Sequence, residues 1–489
     1  MSERQPAYDP NPVVTAGKHV NNAYQQSINE LYGLPQTTNV PEEQLAPNMP
    51  NIFTVPRGNE APTIWKQHPD AAPLHFIATK ADVGGVGGHV ETSAKVQAAG
   101  LDFVLRYNRT KDGYPIFRSL IATHTGDDLA FSGVVDERIL ENPEILHELM
   151  WNALDHAGDV AADQGCYGPK QDLLATAFTG NIHGAGPASI DLPLPRRDDP
   201  AKASQSVLLA FGDKTEPGLF NYVTTGAYYD PNFNTGLILA ESAMADGYIF
   251  DIVDLDTKEQ AIESGVSPTK KTALDKKMTE IAAAGERFIR LSAPEDYYDI
   301  AGLTMQGSRY VVEKIWSKDE NGEPDQLGLV VSAERLHNIE TAKGHSYVGK
   351  DDPVLAALCQ GDWPAPGEIT SPYARIPLVA GDCRGSHLLH LFPMPINEQT
   401  SFWSGPIISV LTLSINLHTG KIGAISDQMA RGTPWDKFRD DAAERMQQHR
   451  AAHGYKQPGT LPANELEYQP GLRKMMTRLN GSFQIRKPS

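Results

Sequence analysis

Apolar residues recur at spacings of three and four between positions 143 and 164: Leu146, Leu149, Met150, Ala153, Ala157, Val160 and Ala161. That period gathers them on one face of an α-helix. Asn142 stands where an N-cap belongs, Pro143 suits the first turn, and Gly165 suits the stop. A second helix is predicted over 434–453, between Thr433 and Gly454. Shorter β-branched runs lie at 74–79, 120–123, 207–211, 248–253, 309–316, 329–333 and 407–417, bounded by Gly, Pro or Asp. These read as strands. Strands outnumber helices, so the pattern predicts an α/β (α+β) body with a layered sheet core. Residues 1–72 are rich in Pro, Asn and Gln and show little periodicity, which predicts an extended N-terminal arm. One large domain follows over 73–460, then a C-terminal tail over 461–489. Segments 108–117, 193–204 and 256–286 read as surface insertions, the last with a helix.

Composition narrows the classes. With 489 residues, 40% of them hydrophobic, the chain can bury one large core or two ordinary ones. Its formal charge of −18 opposes nucleic acid and anionic membranes at long range. A phosphorylated substrate would be repelled too, unless bound cations reverse the sign locally. Cys166, Cys359 and Cys383 are an odd, widely spaced set without a CxxC pair. That fits a reducing cytoplasm better than a disulfide framework. No basic segment followed by an apolar run marks a leader, and the apolar stretch 407–415 is too short to span a bilayer.

The candidate chemistry is carboxylate-rich. Asp127-Asp128 follows the strand at 120–123, and Asp351-Asp352 follows Lys350. Paired carboxylates at strand ends can hold or bridge hard cations such as Mg²⁺. Asp82 and His89 flank Gly84-Gly85-Val86-Gly87-Gly88, a turn that lets backbone approach a ligand closely. It is neither a Walker loop nor GxGxxG. Asp213-Lys214 ends the strand at 207–211 and suits a metal beside a phosphate. Taken singly, each of these also fits a plain surface pair or tight turn. Lys350 is a candidate Schiff-base lysine, which must be partly neutral to attack a carbonyl. Asp351 and Asp352 oppose that unless a cation cancels their charge. Tyr347, three residues earlier, could move a proton at substrate. Arg384, beside Gly385, suits a phosphate clamp.

Eight blocks occur in one order: KADVGGVGGH (80–89), THTGDDL (123–129), GCYGPKQD (165–172), FTGN (178–181), GDKTEPG (212–218), LSAPEDYYD (291–299), YVGKDDPV (347–354) and RGSH (384–387). Together they closely resemble the archaeal-type bifunctional fructose-1,6-bisphosphate aldolase/phosphatase family, over roughly residues 74–455. The resemblance implies an α-β-β-α sandwich assembled as a homo-octamer. It implies that Lys350 forms a Schiff base with dihydroxyacetone phosphate, that Tyr347 is the aldolase proton donor and acceptor, and that Asp82 is the phosphatase base. It implies Mg²⁺ ligands at Asp82, His89, Asp127, Asp128, Gln171, Asp213, Asp351 and Asp352. Substrate contacts are implied at His89, Tyr167, Gly180, Asn181, Lys214, Lys350, Gln360, Gly361 and Arg384. The implied reactions condense dihydroxyacetone phosphate with glyceraldehyde 3-phosphate, then hydrolyse the 1-phosphate of fructose 1,6-bisphosphate. The chain departs from the family at Ser404, where an Asp is usual, and near His449, where a tyrosine is usual. Both departures touch the substrate and phosphatase side. They keep two alternatives open: a single-activity phosphatase or aldolase on a related sugar phosphate, and an inactive metabolite-binding homologue.

Overall fold

The computed structural model describes residues 6–9, 73–173, 186–196, 203–240, 246–307, 309–333, 352–375, 378–381, 387–398, 406–453 and 469–487. A first sheet comprises β1 (Leu74–Asp82), β2 (Phe117–Thr125), β3 (Asp128–Asp136) and β4 (Ala188–Pro193), in the order β2-β3-β1-β4, every pair antiparallel. Side chains alternate between its faces, as a pleated strand requires. Ile77, Ala81, Leu120, Ala122, Leu129 and Phe131 pack under helices α1 (Ala94–Tyr107) and α2 (Pro143–Asp163). Phe76, Ala78, Ile121, Ala130 and Val134 point the other way, into the core shared with a second sheet.

That second sheet has ten strands: β5 (Ser204–Asp213), β6 (Tyr248–Asp254), β7 (Glu286–Ala293), β8 (Tyr310–Lys318), β9 (Pro324–Val331), β10 (Val354–Cys359), β13 (Phe392–Pro393), β14 (Ile407–Asn416), β15 (Lys421–Asp427) and β16 (Gln484–Arg486). The two intervening strands, β11 (Leu378–Gly381) and β12 (His387–His390), form a separate ribbon. The large sheet runs β13-β14-β5-β10-β9-β8-β6-β7-β16, with β15 on the free side of β14. Its β5 and β10 are buried along most of their length, so they read as continuous apolar runs. Phe220, Ala227, Ile300, Leu303 and Leu479, from short helical segments and from α4 (Gln469–Leu479), join the same core. Helix α3 (Trp435–His453) seals Phe392, Met394 and Ile407 with Ala442 and Met446. The expected α+β layered sandwich is what the chain forms.

Two terminal segments join this body. Tyr8 is buried against Phe103 and Tyr107, with Asn152 donating to its hydroxyl, and Asp9 pairs with Arg109. The beginning of the arm is thereby fixed to the outer helical layer. At the other end, β16 extends the sheet beside β7, held by Arg486 on Glu286 and Glu313. The charged segment 256–286 forms two helices, Thr257–Glu263 and Lys271–Ala284.

Candidate active site

The acidic residues gather where the two sheets meet. Asp82 ends β1 and stands opposite Asp128 in the ladder. Asp127 and Asp128 belong to the β2–β3 turn, Asp213 ends β5, and Asp352 precedes β10 beside it. Asp172 enters from the 3₁₀ turn Gln171–Leu173 and accepts a hydrogen bond from the Asp82 amide at 2.8 Å. Each of these six carboxylates is 5% exposed or less. Two glycines make the assembly possible. Gly126 has φ +59°, and a Cβ there would fall 1.9 Å from Asp213 Oδ2. At Gly85 a Cβ would meet Gly88 O at 2.3 Å and Asp127 Cβ at 2.8 Å.

Three cationic groups face them. His89 Nδ1 lies 2.7 Å from Asp127 Oδ2 and 3.7 Å from Asp82 Oδ2. Lys214 Nζ donates to Asp127 at 2.6 Å and to Asp213 at 2.8 Å. Lys80 Nζ, fully buried, donates to Asp128 Oδ2 at 2.5 Å and to the Gly212 carbonyl at 2.6 Å. Hydrogen bonds to Asp127 and Asp82 raise His89 to about 10. Burial pushes Asp127 up, but Lys214 and His89 outweigh it and hold that carboxyl below the ordinary range. Burial and the Asp127 charge push Asp82 well above its ordinary value. Burial, opposed by Lys214 and reinforced by Asp128 and Asp127, takes Asp213 to about 8. For Lys80, burial is outweighed by Asp128, Asp352 and Asp213, so its proton is held more tightly than usual.

Among the described residues, six buried carboxylates against three cations leave a deficit of positive charge, which is costly in a low-dielectric interior. The donors fall into three groups with ligand atoms within 4.8 Å of one another: Asp82, His89 and Asp127; Asp127, Asp128 and Asp213; Asp128, Asp172 and Asp352. Oxygen donors with one imidazole fit hard divalent cations. Gln171 Oε1 is buried beside this cluster with no hydrogen-bond partner among the described residues, so an oxygen ligand is available there too. Tyr167 lies at the mouth, 44% exposed, its ring edge-on to His89 at 5.1 Å and its backbone bridged to Gly85.

Asp82, His89, Asp127, Asp128, Gln171, Asp213, Lys214, Asp352 and Tyr167 are therefore brought together. Gln360 and Gly361 are not. They follow the other end of β10 from Asp352, and six strand residues at about 3.3 Å each put roughly 20 Å between them. Tyr347, Lys350, Asp351, Gly180, Asn181, Arg384 and Ser404 lie outside the described residues. Asp172 and Lys80 escape the reading of sequence, although both sit inside quoted blocks. Asp172 follows Gln171 and is the better donor of the two by charge.

Comparison with known proteins agrees with this geometry. A family model described as "Fructose-1,6-bisphosphatase" matches residues 74–484. A fructose-1,6-bisphosphate aldolase/phosphatase of Thermus thermophilus is 35% identical over 405 residues, covering 83% of this chain and 98% of that protein. The protein of the same name from Cenarchaeum symbiosum is 33% identical over 412 residues, covering 83% and 93%. That from Ignicoccus hospitalis is 30% identical over 405 residues, covering 83% and 91%. The match runs from the first residue of β1 to the first of β16 and spans every strand that carries an acidic ligand, so the chain belongs to this fructose-1,6-bisphosphatase family.

Proposed function

We propose that the chain is a bifunctional gluconeogenic enzyme, a fructose-1,6-bisphosphate aldolase and 1-phosphatase that uses Mg²⁺. The observation that carries this reading is the buried six-carboxylate cluster with Lys214 and Tyr167 at its edge, in a chain whose relatives are named for both activities. Asp82, His89, Asp127, Asp128, Gln171, Asp213, Asp351 and Asp352 hold the Mg²⁺ ions. Bound there, Mg²⁺ polarises phosphoryl oxygens and lowers the pKa of water.

The protein's own groups do the rest. In the aldolase reaction the Lys350 amine adds to the C2 carbonyl of dihydroxyacetone phosphate, and water leaves as the Schiff base forms. Tyr347 takes a proton from C3, C3 bonds to the aldehyde carbon of glyceraldehyde 3-phosphate as its C=O π bond opens, and the aldehyde oxygen receives the proton from Tyr347. Hydrolysis of the Schiff base returns the amine and fructose 1,6-bisphosphate. In the second reaction water attacks the 1-phosphate, the phosphorus–oxygen ester bond breaks, and fructose 6-phosphate and phosphate result. Asp82 accepts the water's proton; burial beside Asp127 raises its proton affinity toward that task. Lys214, Arg384 and Tyr167 hold the phosphate ends, and Gly180 and Asn181 complete the substrate contacts. The enzyme works in the cytoplasm as a homo-octamer, with no nucleic-acid or membrane partner.

The test is an assay on triose phosphates with Mg²⁺, reading fructose 1,6-bisphosphate and free phosphate, with borohydride trapping alongside. A dihydroxyacetone phosphate adduct on Lys350 is expected, lost in Lys350→Met, which still releases phosphate from fructose 1,6-bisphosphate. Phosphate release without any adduct would remove the aldolase half of the reading.

A further inference from the structure

We propose that Lys80 is a fixed cation of the metal cage, a positioning residue that holds Asp128 and limits how strongly the cage binds divalent ions. The inference rests on the reading of the cluster as a divalent-cation site. Lys80 faces the core between the sheets, on the same face of β1 as Phe76 and Ala78. From there its ammonium reaches Asp128 Oδ2 on β3 of the small sheet and the Gly212 carbonyl on β5 of the large one. It therefore sits across the seam that the cage itself spans. Asp128, like Asp127, is shared by two of the three donor groups, and the remaining members of its groups, Asp127, Asp172, Asp213 and Asp352, surround the same seam.

A fully buried ammonium on a shared ligand has two effects. It occupies one oxygen of Asp128, so the carboxylate is held in one orientation with its other oxygen presented to the cage. It also adds a permanent positive charge, beside Lys214 and His89, to a region that divalent ions would otherwise help to neutralise. Even at the dielectric of bulk water, about 80, one charge about 5 Å away opposes a divalent ion strongly enough to weaken binding on the order of tenfold.

Two substitutions separate the charge from the strut. Lys80→Gln keeps a donor for Asp128 and removes the charge; Lys80→Met removes both. The full-length chain is stripped with chelator, and Mn²⁺ binding is measured by equilibrium dialysis with electron paramagnetic resonance detection of free ion. Lys80→Gln is expected to bind Mn²⁺ on the order of tenfold more tightly than the wild type, and Lys80→Met to bind it less tightly than Lys80→Gln because Asp128 loses its strut. Both should also show a larger rise in melting temperature on Mn²⁺ addition, because the metal-free proteins start lower. If Lys80→Met fails to fold, Lys80→Gln decides alone. Wild-type Mn²⁺ affinity in Lys80→Gln overturns the role of the charge, and equal affinity in two folded variants overturns the strut. A wild type that binds no Mn²⁺ overturns the cage reading itself, and so the two failures are distinct.

Discussion

Gly126 shows how narrowly individual residues are specified at this site. Its positive φ disfavours any L side chain, and the space a methyl group would need belongs to Asp213 Oδ2. Gly126→Ala should displace Asp213 or the Asp127-Asp128 turn. Mg²⁺-dependent phosphate release is expected to fall on the order of tenfold to a hundredfold, with a smaller change in melting temperature. Steady-state kinetics across a Mg²⁺ titration checks this, and an unchanged Mg²⁺ requirement would contradict it. At this scale the sequence discloses ligands where carboxylates stand in pairs or beside glycines, as at Asp127-Asp128 and Asp82. It conceals Lys80 and Asp172, because nothing local distinguishes a lysine that will be wholly buried or an aspartate on a 3₁₀ turn. Their roles come from β5 and β1, which are distant in sequence. The separation of Gln360 from the cluster is hidden for the same reason: a strand's residues are adjacent in sequence, yet its ends lie far apart.

Elements with a strong period or clear ends are legible. The helix predicted over 143–164 is α2, with Pro143 in its first turn and Gly165 at φ +70° just beyond it. The strands predicted at 207–211, 248–253 and 407–417 are β5, β6 and β14 within a few residues. By contrast β3 carries Ser132 and Gly133 inside a strand buried along its whole length, so neither alternation nor a β-branched run marks it. Asp427 at the end of β15 joins that strand to the segment before β14, accepting from the amides of Ile396 and Met429. Burial takes it up to about 6, against about 4 for an unfolded aspartate. A raised carboxyl binds its proton in the folded state first, so its contribution is present below about pH 4 and is lost as pH rises through 6. Asp427→Asn should remove that decline, apart from a constant offset from a lost amide bond. Urea midpoints of both proteins at pH 4.5 and 6.5 measure it; equal slopes would rule the assignment out.

For the whole molecule, the −18 charge and the buried acidic cluster act together. Metal that binds only the folded chain stabilises it by mass action, about 2.7 kcal/mol when free metal is a hundred times its dissociation constant. Treatment with chelator should lower the melting temperature by several degrees, and Mg²⁺ should restore it. Added sodium chloride should raise the metal-free melt more through screening of surface repulsion than it raises the metal-loaded one. Scanning calorimetry of the two forms at low and high salt decides this, and identical melts would count against a metal in the cage.

The division of ligands between sheets also sets an order of assembly. Asp82, His89 and Asp127 all come from the small sheet and its adjoining turns, within 46 consecutive residues. The other two groups each wait for one residue of the large sheet, Asp213 or Asp352. A nascent chain can thus complete its first cation pocket from the small sheet and its turns alone. The remaining two close only when the long-range docking of the sheets, the slow step for such topologies, is finished.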